Sequence, residues 1–112
     1  MTFSEEKTGD VLIVGLSGKI DTEGSKELFE KLNALTDQAE RNLLLDFSSV
    51  SYINSSGMGV LLMVAKKLNG VRGKIILAQV NDQIRHVLRI SGLASIIGVY
   101  PSKEEALQAF TS

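Results

Sequence analysis

Hydrophobic positions along the chain change period several times, and each change marks a predicted element. Residues 2–8 have the length of an edge strand, Gly9-Asp10 is a turn signal, and Val11 to Ile20 is a β-branched run. Two such runs across a Gly-Asp turn predict an antiparallel hairpin. Asp21-Thr22 then offers a helix cap. Leu28, Phe29, Leu32, Leu35 and Ala39 recur at helical spacing, with Lys26, Glu27, Glu30, Lys31 and Asp37 on the water side, so a helix is predicted over Ser25 to Ala39. Leu43-Leu44-Leu45 is short and uniformly apolar, as in a parallel strand in the middle of a sheet, and Asp46 closes it.

A long helix is expected from about Ser55 to Asn69-Gly70, with Gly70 and Gly73 marking its end and a turn. Lys74 to Gln79 reads as a strand. Asn81-Asp82 caps a third helix whose apolar side is Ile84, Val87, Leu88 and Ile90. Ser95 to Tyr100 reads as a last strand, and Pro101 stands in the first turn of a C-terminal helix that includes Ala106, Leu107 and Phe110. The order β-β-α-β-α-β-α-β-α predicts an α/β fold: a mixed, mostly parallel sheet of four to five strands, an antiparallel edge hairpin and about four helices. Right-handed crossovers between neighbouring strands put the crossover helices mainly on one face. With 112 residues, no internal repeat and no linker, one domain over 1–112 is expected.

Composition narrows the function classes. Net charge is −1, which does not point to nucleic acid or an anionic membrane. Cysteine is absent, which removes disulfides and thiolate chemistry and fits a reducing cytosol. No basic segment followed by an apolar run opens the sequence, so no secretory signal is expected, and the apolar stretch Met58 to Ala65 is far short of a membrane span. A cytoplasmic protein is the expectation. The lone His86 lies between Arg85 and Arg89 on a predicted solvated helix face, so no metal site of the common sort is expected. Gly57-Met58-Gly59 lacks the further glycine of a dinucleotide-binding turn. Asp46, at a predicted strand end, and Asp21, after the second strand, read as caps or turn-closing carboxylates. No acid–base pair stands at recognisable spacing, and neither an enzyme nor a cofactor is expected.

The most informative stretch is Asn54-Ser55-Ser56-Gly57-Met58-Gly59, which opens the long central helix. Serine is a favoured cap there, and the two glycines are poor helix formers, which points to a close approach to the backbone. A hydroxyl at the positive end of a helix is well placed to carry a phosphate, because first-turn amides and the helix dipole attract anions. The helix behind it is apolar on nearly every side, so either neighbouring helices enclose it or one side is a partner surface beginning at the glycine-rich turn.

Three segments together carry a family resemblance: Leu16-Ser17-Gly18-Lys19-Ile20-Asp21, the run from Leu43-Leu44-Leu45-Asp46 through Ser55-Ser56-Gly57-Met58-Gly59-Val60, and Ile90-Ser91-Gly92-Leu93. Over nearly its whole length the chain resembles the STAS domain, in particular the single-domain bacterial anti-sigma factor antagonists. That resemblance implies a STAS fold and partner switching. The unphosphorylated protein binds an anti-sigma factor that is also a GHKL-type serine kinase, and a sigma factor is released. Phosphorylation, by that alignment at Ser55 and less so at Ser56, blocks binding until a PP2C-type phosphatase reverses it. The kinase, not this chain, holds ATP and magnesium. Asp21 matches the family's acidic position near the phosphorylated serine. The implied partner-binding set is Asp21, Asn54, Ser55, Ser56, Gly57, Met58 and Gly59, in a monomer or weak dimer. The chain departs from the family at Asn54, where aspartate is usual: asparagine keeps the cap and loses the charge. The resemblance also accommodates a second role, as an accessory or sensor domain for a transporter, a lipid-transport system or a small nucleotide.

Overall fold

A computed structural model describes residues 1–111 and places five strands in the order β1-β2-β3-β4-β5. β1 (Thr2–Thr8) runs antiparallel to β2 (Val11–Ile20), and the turn between them is made at Gly9 with φ +62°. β3 (Asn42–Ile53), β4 (Lys74–Ala78) and β5 (Gly98–Tyr100) continue the sheet in parallel. The connections are α1 (Thr22–Asp37), α2 (Ser55–Asn69) and α3 (Asp82–Ile90), followed by a 3-10 turn at Leu93–Ser95. α4 (Lys103–Gln108) closes the chain.

Each parallel crossover carries its helix to the same side of the sheet. The main core lies there: Val14, Leu43, Leu45 and Leu77 from the strands meet Leu28, Leu32, Leu61, Leu68 and Leu88 from α1, α2 and α3. Leucines of this kind, with 0–1% of their surface exposed, each contribute about 1.5–3 kcal/mol through burial. The opposite face is smaller. Val11, Ile13, Leu44, Ile76 and Ala78 are covered there by Ala106 and its neighbours on α4.

Several elements differ from the sequence expectation. β3 is twelve residues long and does not stop at Leu45. It pairs with β4 only as far as Asp46, then continues along β2 to Ile53 opposite Ile20. Register shifts along that extension insert extra residues into β3, so Phe47, Val50 and Ile53 are buried at a spacing of three. The loss of the two-residue alternation hides the strand. Asp46 therefore lies inside β3, on the α4 side, where its carboxylate accepts from the Ser48 amide at 2.9 Å and faces Lys103 at 3.6 Å. It is not a strand-end residue and does not belong to the same face as Ser55.

β5 is confined to Gly98–Tyr100, because Leu93–Ser95 forms the 3-10 turn that buries Leu93. Pro101 precedes the helix instead of entering its first turn, and Ser102 caps α4 by accepting from the Glu105 amide at 3.1 Å. α1 starts at Thr22, earlier than the apolar stripe implied, and ends at Asp37. Ala39 adopts φ +68° beyond it. Of the apolar stripe on α1, Leu28, Leu32 and Leu35 are buried, whereas Phe29 is 37% exposed.

Candidate functional site

The extended β2–β3 ribbon delivers two helix starts side by side. Ile20 and Ile53 are the last paired residues, and the Asn54 amide donates to the Ile20 carbonyl at 2.9 Å. Asp21 and Asn54 follow as N-caps of α1 and α2, both with extended backbone. Asp21 Oδ1 accepts from the Gly24 amide at 2.8 Å, and Asn54 Oδ1 accepts from the Gly57 amide at 2.9 Å. The two caps share one pattern, a side-chain acceptor with glycine three residues on: Asp21-Thr22-Glu23-Gly24 and Asn54-Ser55-Ser56-Gly57. In each case one of the four amides that open a helix is satisfied by the cap.

Both glycines are needed for internal packing. A Cβ on Gly57 would fall inside contact distance of Ile20 Cγ2 and 2.8 Å from Ile53 Cγ1; one on Gly24 would press into the Lys19 carbonyl. The close approach expected at Gly57 is thus made by this chain's own isoleucines, not by a visitor. Gly59 has nothing within 4 Å of a built Cβ and is open.

Ser25 ties the two caps together. Its hydroxyl lies 2.7 Å from the Asp21 carbonyl oxygen and 3.1 Å from Asn54 Oδ1, donating toward both. It is the one buried polar side chain among the described residues, at 4% exposure. Sequence reading missed it, although its place three residues after Thr22 and one after Gly24 put it on the inner side of the α1 start. Asp21→Ala is expected to cost about 1 kcal/mol of stability through loss of the α1 cap, measurable by urea denaturation.

Ser55 and Ser56 are both exposed on the first turn of α2. Their amides have no carbonyl one turn back within the helix, and the helix dipole makes this end positive. A phosphate on either serine would meet favourable local electrostatics without disturbing the core. Ser56 also lines a shallow groove between the two helices. Thr22, Lys26 and Phe29 contribute from α1, and Val60 and Met63 from α2.

The α2 helix is therefore only partly enclosed. Val60, Leu61, Val64 and Leu68 are buried, Met58, Leu62 and Ala65 pack half-buried against the core, and Met63 is 48% exposed. Tyr52 is exposed on the end of β3, on the other side of the Asn54 cap. The structure gathers Asp21, Asn54, Ser55, Ser56 and Gly57 at the carboxyl ends of the interior strands β2 and β3. Met58 turns partly inward, and His86 is exposed on α3, away from this set.

Residues 3–106 match the family model described as the STAS domain. The provisionally named anti-sigma factor antagonist BtrV of Bordetella bronchiseptica is 36% identical over 110 residues, 98% of this chain and 95% of that protein. Among solved structures, a provisionally named anti-sigma factor antagonist of Thermotoga maritima superposes with a TM-score of 0.92, covering 98% of this chain and 95% of that one. At 21% identity that likeness speaks to the fold. The Bacillus cell fate determinant SpoIIAA in its phosphorylated form superposes at a TM-score of 0.73 with 25% identity, over 97% of this chain and 99% of that one.

Proposed function

The chain belongs to the STAS-domain family, and from that premise we propose that it is an anti-sigma factor antagonist that works by partner switching in the bacterial cytoplasm. In its unmodified form it binds an anti-sigma factor that is also a GHKL-type serine kinase, and this frees a sigma factor. Phosphorylation of Ser55 ends the interaction, and a PP2C-type phosphatase restores it. Asp21, Asn54, Ser55, Ser56 and Gly59 form the centre of the docking surface, with the buried Gly57 and half-buried Met58 shaping it from beneath. The chain's own role is binding; ATP and magnesium belong to the kinase.

The observation that carries this reading is the exposed Ser55 hydroxyl at the capped start of α2, adjacent in sequence to Ser56, which lines the groove containing Phe29 and Met63. Exposure admits a kinase active site. The apolar neighbours give a partner something to bury. A phosphate adds about −1.5 to −2 charges, and burying those against an apolar surface is costly. Docking and modification thus compete for one patch, and the fold need not rearrange.

The test is incubation of the chain with the purified anti-sigma factor kinase and ATP, followed by mass spectrometry of the peptide containing Ser55 and Ser56. A single phosphate on Ser55 is expected. Modification elsewhere, or none, would overturn the assignment.

A further inference from the structure

Asn54 does two things with two different atoms. Its Oδ1 faces inward and accepts from the Gly57 amide at 2.9 Å and from the Ser25 hydroxyl at 3.1 Å. A backbone N–H can only donate, so the oxygen must be the atom facing Gly57, and the amide orientation is fixed by chemistry. The Nδ2 group then points the other way. Asn54 is half-buried, and among the described residues no buried side-chain nitrogen or oxygen lacks a partner. Among the described residues Nδ2 has no hydrogen-bond partner, so it is in contact with solvent. At this spot Asn54 itself offers N–H donors and no charge, while Asp21, the exposed cap of α1, is tied to it through Ser25.

We propose that Asn54 is a specificity-determining residue of the docking surface: a partner protein that engages Ser55 sets a neutral hydrogen-bond acceptor, a backbone carbonyl, against the Asn54 amide. Ser25 is the positioning residue. Its hydroxyl adds a second bond to Oδ1 and holds the amide plane with the donors outward. An acceptor-only side chain at the same place could not donate, so the asparagine selects partners that bring an acceptor. This inference rests on the proposed function, since it concerns the same surface.

Asn54→Asp separates the two roles. An aspartate keeps the inward oxygen that caps α2, and a negative charge at a helix N-terminus is tolerated or favourable. The outward atom changes from a neutral donor to a charged acceptor. Calorimetric titration with the purified anti-sigma factor kinase is expected to show Asn54→Asp binding about tenfold more weakly or worse, while its thermal midpoint stays at or above that of the wild type. Ser25→Ala is expected to weaken binding by a smaller factor. Nuclear magnetic resonance supplies a measurement independent of the partner: the Asn54 side-chain NH2 protons should exchange with water as a free primary amide does, whereas the Gly57 amide is protected. Asn54→Asp binding equal to or tighter than wild type overturns the proposal, as does a protected Asn54 NH2. Binding by neither form overturns the proposed function and this inference with it, and wild-type binding together with an indifferent Asn54→Asp overturns only the inference.

Discussion

Ser55→Asp is expected to weaken binding of the anti-sigma factor kinase by about a hundredfold or more, while thermal unfolding stays close to that of the wild type. The binding loss follows from desolvation. An aspartate at the first position of α2 carries its charge into the proposed docking patch with Asn54 and Ser56, next to the residue that lines the Phe29–Met63 groove. Burying it without a matching cation costs on the order of 3 kcal/mol, which corresponds to more than a hundredfold in affinity. Stability is spared because the helix is capped by Asn54 and not by Ser55, and because a negative charge suits a helix N-terminus. Ser55→Ala should bind like the wild type and resist switching. Titration calorimetry and a thermal melt, run on the same samples, check both halves. A melt lowered by many degrees in Ser55→Asp would make the serine a structural residue instead.

Gly57→Ala is expected to destabilise the chain by about 1–2 kcal/mol. The added methyl runs into Ile20 and Ile53, whose branched side chains are buried and stiff. Overpacking of this kind costs ~1–3 kcal/mol, against at most ~1 kcal/mol gained in helix propensity. The start of α2 must lift off the β2–β3 ribbon, which displaces Ser55, so partner affinity should fall as well. Gly59→Ala has the opposite expected sign. With nothing within 4 Å of its Cβ, it should stabilise by ~0.5–1 kcal/mol. Chemical denaturation of the pair reads the contrast directly. Equal effects would show that the contacts at Gly57 relax freely.

Much of the fold is legible because local signals agree with one another. The Gly9 turn, the 28–32–35 stripe of α1 and the Asn81 cap of α3 each appear in the structure as the sequence implies. The order of strands follows from short crossovers, which favour neighbouring pairing. What stayed hidden depends on long-range register. The last part of β3 pairs only with β2, through shifts that no local pattern announces, which is why Asp46 reads as a strand end while it lies inside β3. At the candidate site, the cap expected of a serine is made by Asn54, while Ser55 and Ser56 themselves could be found from residue type and position. Ser25 could not, because its role comes from two helices starting side by side. The close approach expected at both glycines holds at Gly57, where Ile20 and Ile53 are what approaches, and fails at Gly59, which is open.

The account turns on whether a phosphate on one exposed hydroxyl decides docking. The most direct measurement is titration of the anti-sigma factor kinase with two preparations of this chain, one unmodified and one phosphorylated at Ser55, without ATP. The account predicts saturable binding of the first, binding about a hundredfold weaker or undetectable for the second, and full recovery after phosphatase treatment. Equal affinity of the two preparations would contradict it.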